Sequence, residues 1–246
     1  MKVYINNRNL VTWPKAMAEK MANENHEVIF LDNGSDYPPL MDYYSTCKFE
    51  VVRLPNMGNR APWDSGIVMK LDEPYVVTDP DYDLSMVPSD WGEVLLEGMQ
   101  RFPHINKFGL SFDESKVPPE NPAYTMDQFD KYPDGLPQIW NNKIAGGWLG
   151  YPCDSSFALQ RPHTIAEIGG IRKDRPYTCI HYPWHITLEP TKTPGKMSVL
   201  FDAEFYYYMT HCENSSFTWG RMWQVGMITE YEKRNNITNH YRPAGM

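Results

Sequence analysis

Five short β-favouring runs, each followed by a helical or turn-forming stretch, constrain the fold of this 246-residue chain more than any other feature. They are "KVYIN" at 2–6, "EVIFLD" at 27–32, "FEVVRL" at 49–54, "YVVT" at 75–78 and "KFGLSF" at 107–112. Between the first two lies "WPKAMAEKMANE", with Thr12 in place to cap a helix. Ser89 is placed to cap another, running to about Phe102 with Val94, Leu95, Gly98, Met99 and Phe102 along one face. Strands that alternate with helices imply right-handed βαβ crossovers. The expected class is therefore α/β, a mostly parallel, doubly wound sheet with helices on both faces.

After residue 112 the alternation loosens. Residues 113–142 are proline-rich and polar, which reads as one long irregular connection. The remainder is rich in aromatics and histidines ("CIHYPWHI", "FDAEFYYYMTHC", "SFTWGRMW"). Without an internal repeat or a low-complexity linker, the simplest account is a single domain, 1–246, with halves at 1–112 and 113–246. Trp140, Trp148, Trp184, Trp219 and Trp223 serve either as core or as a platform for sugar rings.

Charge narrows the partners. A formal net charge of −8 without a basic run argues against nucleic acid, which needs clustered Lys and Arg to neutralise phosphates. The four cysteines contain no CxxC pair and are too sparse for a disulfide framework, so reduced thiols are expected. No apolar run approaches 18 residues, and "MKVYINNRNL" lacks the core of a signal peptide. A soluble, cytoplasmic protein without a transmembrane segment is the expectation.

The polar residues at the ends of the strands are the functional signal. In open α/β sheets ligands bind outside the carboxyl ends of the strands. "TDPDYDL" places Asp79, Asp81 and Asp83 there after the fourth run. Alternate carboxylates suit a hard divalent cation shared with phosphate oxygens, and a solvated acidic turn is the plain alternative. An EF-hand does not fit. With Asp79 as its first position, Leu84 falls where glycine is needed and Asp90 where a bidentate glutamate is needed. "INNR" supplies Asn6, Asn7 and Arg8, "FLDNGS" supplies Asp32, Asn33, Gly34 and Ser35, and "LPNMGNR" supplies Asn56, Gly58 and Arg60. Each alone is a routine turn. Four such clusters after successive strands are much harder to dismiss.

"DNGS", "NMG" and "VVTDPD" resemble the nucleotide-sugar-binding half of family 2-type glycosyltransferases with the GT-A fold, over roughly residues 1–112. "GYPCDSSFAL" and "RPYTCIHYPWH" look like the later part of a subgroup found in bacteria and viruses. The resemblance implies that Asp32 binds the base, and that Asp79 and Asp81 hold Mn2+ or Mg2+ with the donor diphosphate. Asn6, Arg8, Asn33, Asn56, Gly58, Arg60 and Asp79 then join Asp32 as nucleotide-sugar-binding candidates. His181 is a candidate third metal ligand, and His211 a weaker one. The donor would be a UDP, GDP or dTDP sugar, and the acceptor a hydroxyl of a glycan or other small molecule. An inverting transfer needs a carboxylate to deprotonate that hydroxyl. Asp154 is the first catalytic candidate, with Asp113 and Asp130 as alternatives. The second half, 113–246, becomes the acceptor side.

Departures from the pattern matter too. The Gln-x-x-Arg-Trp motif of processive members is missing, and "WGRMWQ" at 219–224 only faintly echoes it. His181 and His185 are four apart, but Pro183 between them argues against a regular helix and no HExxH accompanies them. Two rival functions stay open. A sugar nucleotidyltransferase usually carries a glycine-rich phosphate loop near its N-terminus, where this chain has Arg8 and Lys15 but no glycine. A non-enzymatic carbohydrate-binding protein would use the aromatics and a structural Ca2+ without needing a nucleotide.

Overall fold

A computed structural model describes residues 1–121, 140–153, 156–166, 169–211 and 225–238. The chain divides into two compact units. The first comprises Met1–Asp113 and Leu136–Ile180, the second Glu114–Gly135 and His181–Met246.

The first unit is α/β, with a central, largely parallel sheet. Its strands are β1 (Lys2–Asn7), β2 (Glu27–Asn33), β3 (Glu50–Leu54), β4 (Tyr75–Thr78), β5 (Tyr82–Asp83), β6 (Lys107–Phe112), β7 (Lys143–Ile144), β8 (Trp148–Leu149), β9 (Ala158–Gln160) and β10 (Ile171–His181, whose last residue counts with the second unit). They run in the order β3-β2-β1-β4-β9-β6-β10-β8-β7, with β5 paired to β10 off this path. β1 pairs in parallel with β2 on one side and β4 on the other, and β2 with β3. β9 inserts antiparallel between β4 and β6.

Side chains of successive strand residues point to opposite faces, and both faces of this sheet are apolar. On one, Tyr4, Ile29, Leu31, Tyr75 and Val77 pack with Trp63 of the short helix α3 (Ala61–Asp64) and with Val68. On the other, Phe30 meets the rings of Tyr43 and Tyr44 from α2 (Pro38–Thr46) edge-on, at centroid separations of 6.1 and 5.3 Å. Helix α1 (Thr12–Asn23) buries Trp13, Met17 and Met21. Burial on both faces explains why β1, β2 and β4 read as nearly unbroken apolar runs. Each large side chain so buried contributes roughly 1.5–3 kcal/mol.

Helix starts differ from expectation. Thr12 is the first residue of α1, and Val11 occupies the cap position without a side-chain cap bond. The Val11 carbonyl already accepts the Lys15 N–H at 3.1 Å, which moves the helix start one residue back. Likewise α4 (Trp91–Arg101) is preceded by Asp90 in the cap position rather than Ser89, because the Asp90 carbonyl accepts the Val94 N–H. Helix α2 is an element that the sequence pattern did not announce. Its two prolines sit in the first turn, where a missing N–H costs nothing, and Leu40 and Tyr44 bury one face. Within "GYPCDSSFALQR" the described strand is β9. Cys153 makes only an isolated bridge to Gly169, and residues 154 and 155 lie outside the described residues.

In the second unit, β11 (Ile186–Thr187) pairs in parallel with β12 (Val199–Leu200). Two helices, Ala203–His211 and Met227–Arg234, meet through stacked Tyr206 and Tyr231 (5.3 Å, 29°). Tyr206 also donates to the buried Glu232 at 3.1 Å. The Asn121 amide donates to the Pro183 carbonyl at 3.1 Å, joining the two segments of this unit. The core role holds for Trp148 and Trp184, which are buried, while Trp140 is half-buried with Arg175 over its ring at 4.2 Å. Trp219 and Trp223 lie outside the described residues. Among the described residues no helix is long and apolar enough to cross a membrane.

Candidate functional site

The strand order reverses between β1 and β4. From β1 the chain steps outward through β2 to β3, then returns to place β4 on the other side of β1. Connections diverge at such a switch point and leave a crevice outside the carboxyl ends of the strands. The parallel registers bring the polar strand ends to this edge: Asn7 lies beside Asp32, Asp32 beside Arg53, and Ile5 beside Thr78, one residue before Asp79.

Asp32 is buried, at 2% exposure. Its Oδ2 accepts from Arg53 Nη1 at 2.6 Å, and the Arg53 guanidinium lies 4.7 Å from the Tyr44 ring centroid. Arg53 itself keeps half its side chain in solvent. Asn7, fully buried, donates from Nδ2 to the Leu10 carbonyl and to the Tyr44 hydroxyl, both at 2.8 Å. Burial pushes the Tyr44 phenol well above its ordinary range, and the Asp32 charge adds to the effect, so Tyr44 stays protonated. Three acceptors at this edge, Asn6 Oδ1, Asn7 Oδ1 and Asp32 Oδ1, are buried without a hydrogen-bond partner. Unfilled buried acceptors are costly. At a sheet edge of this topology they mark an environment that donors from a ligand or solvent would complete.

Asn33 does different work. Its Oδ1 accepts from the Met57 N–H at 2.7 Å and its Nδ2 donates to the Gly58 carbonyl at 2.8 Å. Asn6 adds Nδ2 contacts to the Gly58 and Asn59 carbonyls at 3.5 and 3.4 Å. The loop after β3 is thus tied to the ends of β1 and β2. Gly34 is required where it sits: φ is +72°, and a Cβ there would stand 2.7 Å from the Asn56 backbone nitrogen. Asn56 is exposed and accepts from the Gly58 N–H at 3.2 Å. Arg60 points to Asp64 and to the Ala166 carbonyl (3.0 Å), and Arg8 is half-buried.

Asp79 is half-buried and Asp81 buried at 7% exposure, just past the end of β4. Asp83 turns back on the chain to accept the Ser85 N–H at 2.7 Å. Asp81 and Asp83 both lie near enough to the buried Cys179 to add to its shift, in which burial leads and pushes the thiol up to about 12. Among the described residues no three His, Cys, Asp or Glu side chains gather into a group that could hold a metal by themselves. The Asp79–Asp81 pair fits Mg2+ or Mn2+ of the kind that takes one or two carboxylates and completes its shell with phosphate oxygens and water.

His181 belongs to the second unit, where its ring is edge-on to Trp184 at 4.7 Å. His211 stacks on Tyr207 at 3.8 Å. Asp113, half-buried at the end of β6, donates its N–H to the Cys179 carbonyl. Asp154 and Asp130 lie outside the described residues. Sequence reasoning missed Arg53 and Tyr44, whose contacts depend on strand register and on the unexpected α2. It also missed Asn9, which bonds to residues 35–37. Asparagine, enriched among non-glycine residues at positive φ, was the available signal for it.

No protein-family model and no curated protein matches this chain. Among solved structures, it is similar to CMP:2-keto-3-deoxy-manno-octonic acid synthetase in complex with CTP. The identity is 15% and the TM-score 0.35, over 48% of this chain and 55% of the other. The likeness therefore spans about half of each protein and carries no argument about activity.

Proposed function

We propose that the first unit binds a nucleoside-diphosphate sugar at the carboxyl edge around β1 and β4, and that the protein is a metal-dependent glycosyltransferase. The observation that carries this reading is the convergence of the strand-end clusters of "INNR", "DNGS", "NMG" and "TDPD" on one edge at the switch point. The resemblance of those same segments to the donor half of GT-A transferases supports it.

In this reading Asp32 and Asn7 offer their unfilled oxygens to donor groups of the base or ribose. Asn6, Asn33 and the glycines hold the loop after β3 where the diphosphate passes, and Arg8 and Arg60 supply positive charge. Asp79 and Asp81 would hold Mn2+ or Mg2+, which when bound stabilises charge on the departing diphosphate. The acceptor hydroxyl loses its proton to a carboxylate, with Asp154 the first candidate from sequence and Asp113 the described one. Calorimetric titration of UDP, GDP and dTDP, with and without Mn2+, tests the donor site. Metal-dependent binding of one diphosphate is expected. Binding of glycan without any nucleotide would instead select the carbohydrate-binding module.

A second reading is nucleotidyl transfer from a nucleoside triphosphate to a sugar. The missing glycine in the loop after β1 weighs less once Asn9 is seen to take a left-handed conformation itself, at φ +53°. The two readings part on products. A glycosyltransferase releases nucleoside diphosphate from a sugar donor, whereas a nucleotidyltransferase releases pyrophosphate from the triphosphate.

A further inference from the structure

The loop that follows β1 is tied to the loop that follows β2 through one residue, Asn9, which is 1% exposed. Its backbone N–H donates to Ser35 Oγ at 3.0 Å. Its Oδ1 accepts the N–H groups of Asp36 and Tyr37, at 2.8 and 3.0 Å. Its Nδ2 donates to Asp36 Oδ1 at 2.9 Å. All four of these bonds run to residues 35–37, across from the bend in which Asn9 sits between β1 and α1. The left-handed φ of +53° lets a single short side chain turn back to make them.

This clasp has a consequence for the edge. Arg8 immediately precedes Asn9, and Asp32 to Gly34 immediately precede Ser35. Holding 9 against 35–37 fixes where both flanking segments present their groups. Asn33 then ties the β2 end to Met57 and Gly58, so the three loops form one connected piece. A ligand that touches all three meets a cradle already assembled, and less conformational freedom is lost on binding.

We infer that Asn9 is a positioning residue for nucleotide binding, acting through residues 35–37 without touching the ligand. The inference rests on the reading of this edge as a nucleotide site. Its polarity is testable because the Asn9–Asp36 bond can be reversed. Asn9→Asp sets two carboxylates against each other, and the added change Asp36→Asn restores a bond with donor and acceptor exchanged at unchanged net charge.

The experiment is calorimetric titration of UDP, GDP and dTDP with Mn2+ against wild type, Asn9→Gly, Asn9→Asp and the Asn9→Asp/Asp36→Asn pair, with thermal melts of each. Asn9→Gly keeps the backbone conformation and deletes the side-chain bonds; its affinity should fall about thirty-fold, the equivalent of two ordinary hydrogen bonds. Asn9→Asp should fall about five-fold, as expected for repulsion at a partly solvated pair. The double variant should regain most of that loss, an affinity rescue that a residue serving stability alone would not show. Should Asn9→Asp fail to fold, Asn9→Gly carries the test. Wild-type affinity in folded Asn9→Gly, or a folded double variant no better than Asn9→Asp, overturns the inference and leaves the nucleotide site standing. If wild type itself binds no nucleotide, the donor-site reading fails and the inference falls with it.

Discussion

The two edges of the central sheet are built from the same strands, yet they treat polar residues in opposite ways. At the amino edge Lys2 and Glu27, partners across β1 and β2, face each other at 3.6 Å with about half of each side chain in solvent. Lys70, Asp72 and Glu73 stand exposed around a recess of about 310 Å3 walled by Tyr75. At the carboxyl edge Asn6, Asn7, Asp32, Asn33 and Asp81 are all buried, none more than 7% exposed. Charges in water cost little and contribute little, whereas buried polar groups are tolerated only with partners. So many buried polar groups at one edge, with three acceptors unfilled, separate it from the solvated amino rim and support the proposed site.

This contrast can be broken or sharpened by mutation. The largest effect is expected at Asp81→Asn, which should weaken metal-dependent nucleotide binding about 100-fold or more by calorimetry, the upper end for perturbing a metal site. Unchanged affinity there would return the aspartates to an acidic turn. Next comes Asn33→Ala, which strands the Met57 N–H and leaves the Gly58 carbonyl only the long side-chain contact from Asn6. Urea denaturation should show a loss of about 2 kcal/mol.

A gentler effect belongs to the amino edge, at His26. Burial, followed by the nearby N-terminal ammonium, holds its pKa below the ordinary 6.5, with Glu24 and Glu93 opposing. The folded state thus binds fewer protons than the unfolded one below pH 6.5. Stability is fully present above 6.5 and declines as pH falls from there through the folded pKa. Urea midpoints measured from pH 7.5 to 5 should fall accordingly, and His26→Gln should remove that component. The smallest effect is expected at Lys2→Met, about 0.5 kcal/mol or less in the same assay. A loss there as large as that at Asn33 would erase the distinction between the edges.

Much of the first unit was legible. The expected strands match β4 and β6 to the residue, and β1, β2 and β3 to within one, because a strand buried on both faces leaves an apolar run that chemistry alone must hide. The strand-end clusters were legible for the same reason, since polarity resumes where burial stops. What those polar residues touch was not. Asp32 pairs with Arg53 only because β2 and β3 align in one register, and a shift by one residue would turn Arg53 to the other face. Asn9 reads as an ordinary turn residue until the loop after β2 is folded against it. Helix α2 was hidden behind two prolines that look like a turn and in fact open a helix.

By itself, then, the amino-acid sequence determined the alternation of strands and helices, the parallel sheet that alternation demands, and the presence of polar groups at its carboxyl edge. These follow from local periodicity and solvation, which act within a few residues. Tertiary structure decided that the three residues of β9 enter between β4 and β6, that residues 136–180 rejoin the first unit, and that two asparagines bind three loops into one piece. Those outcomes depend on hydrogen bonds between segments far apart in the chain. No local pattern encodes such a bond, because its free energy exists only once both partners are in place.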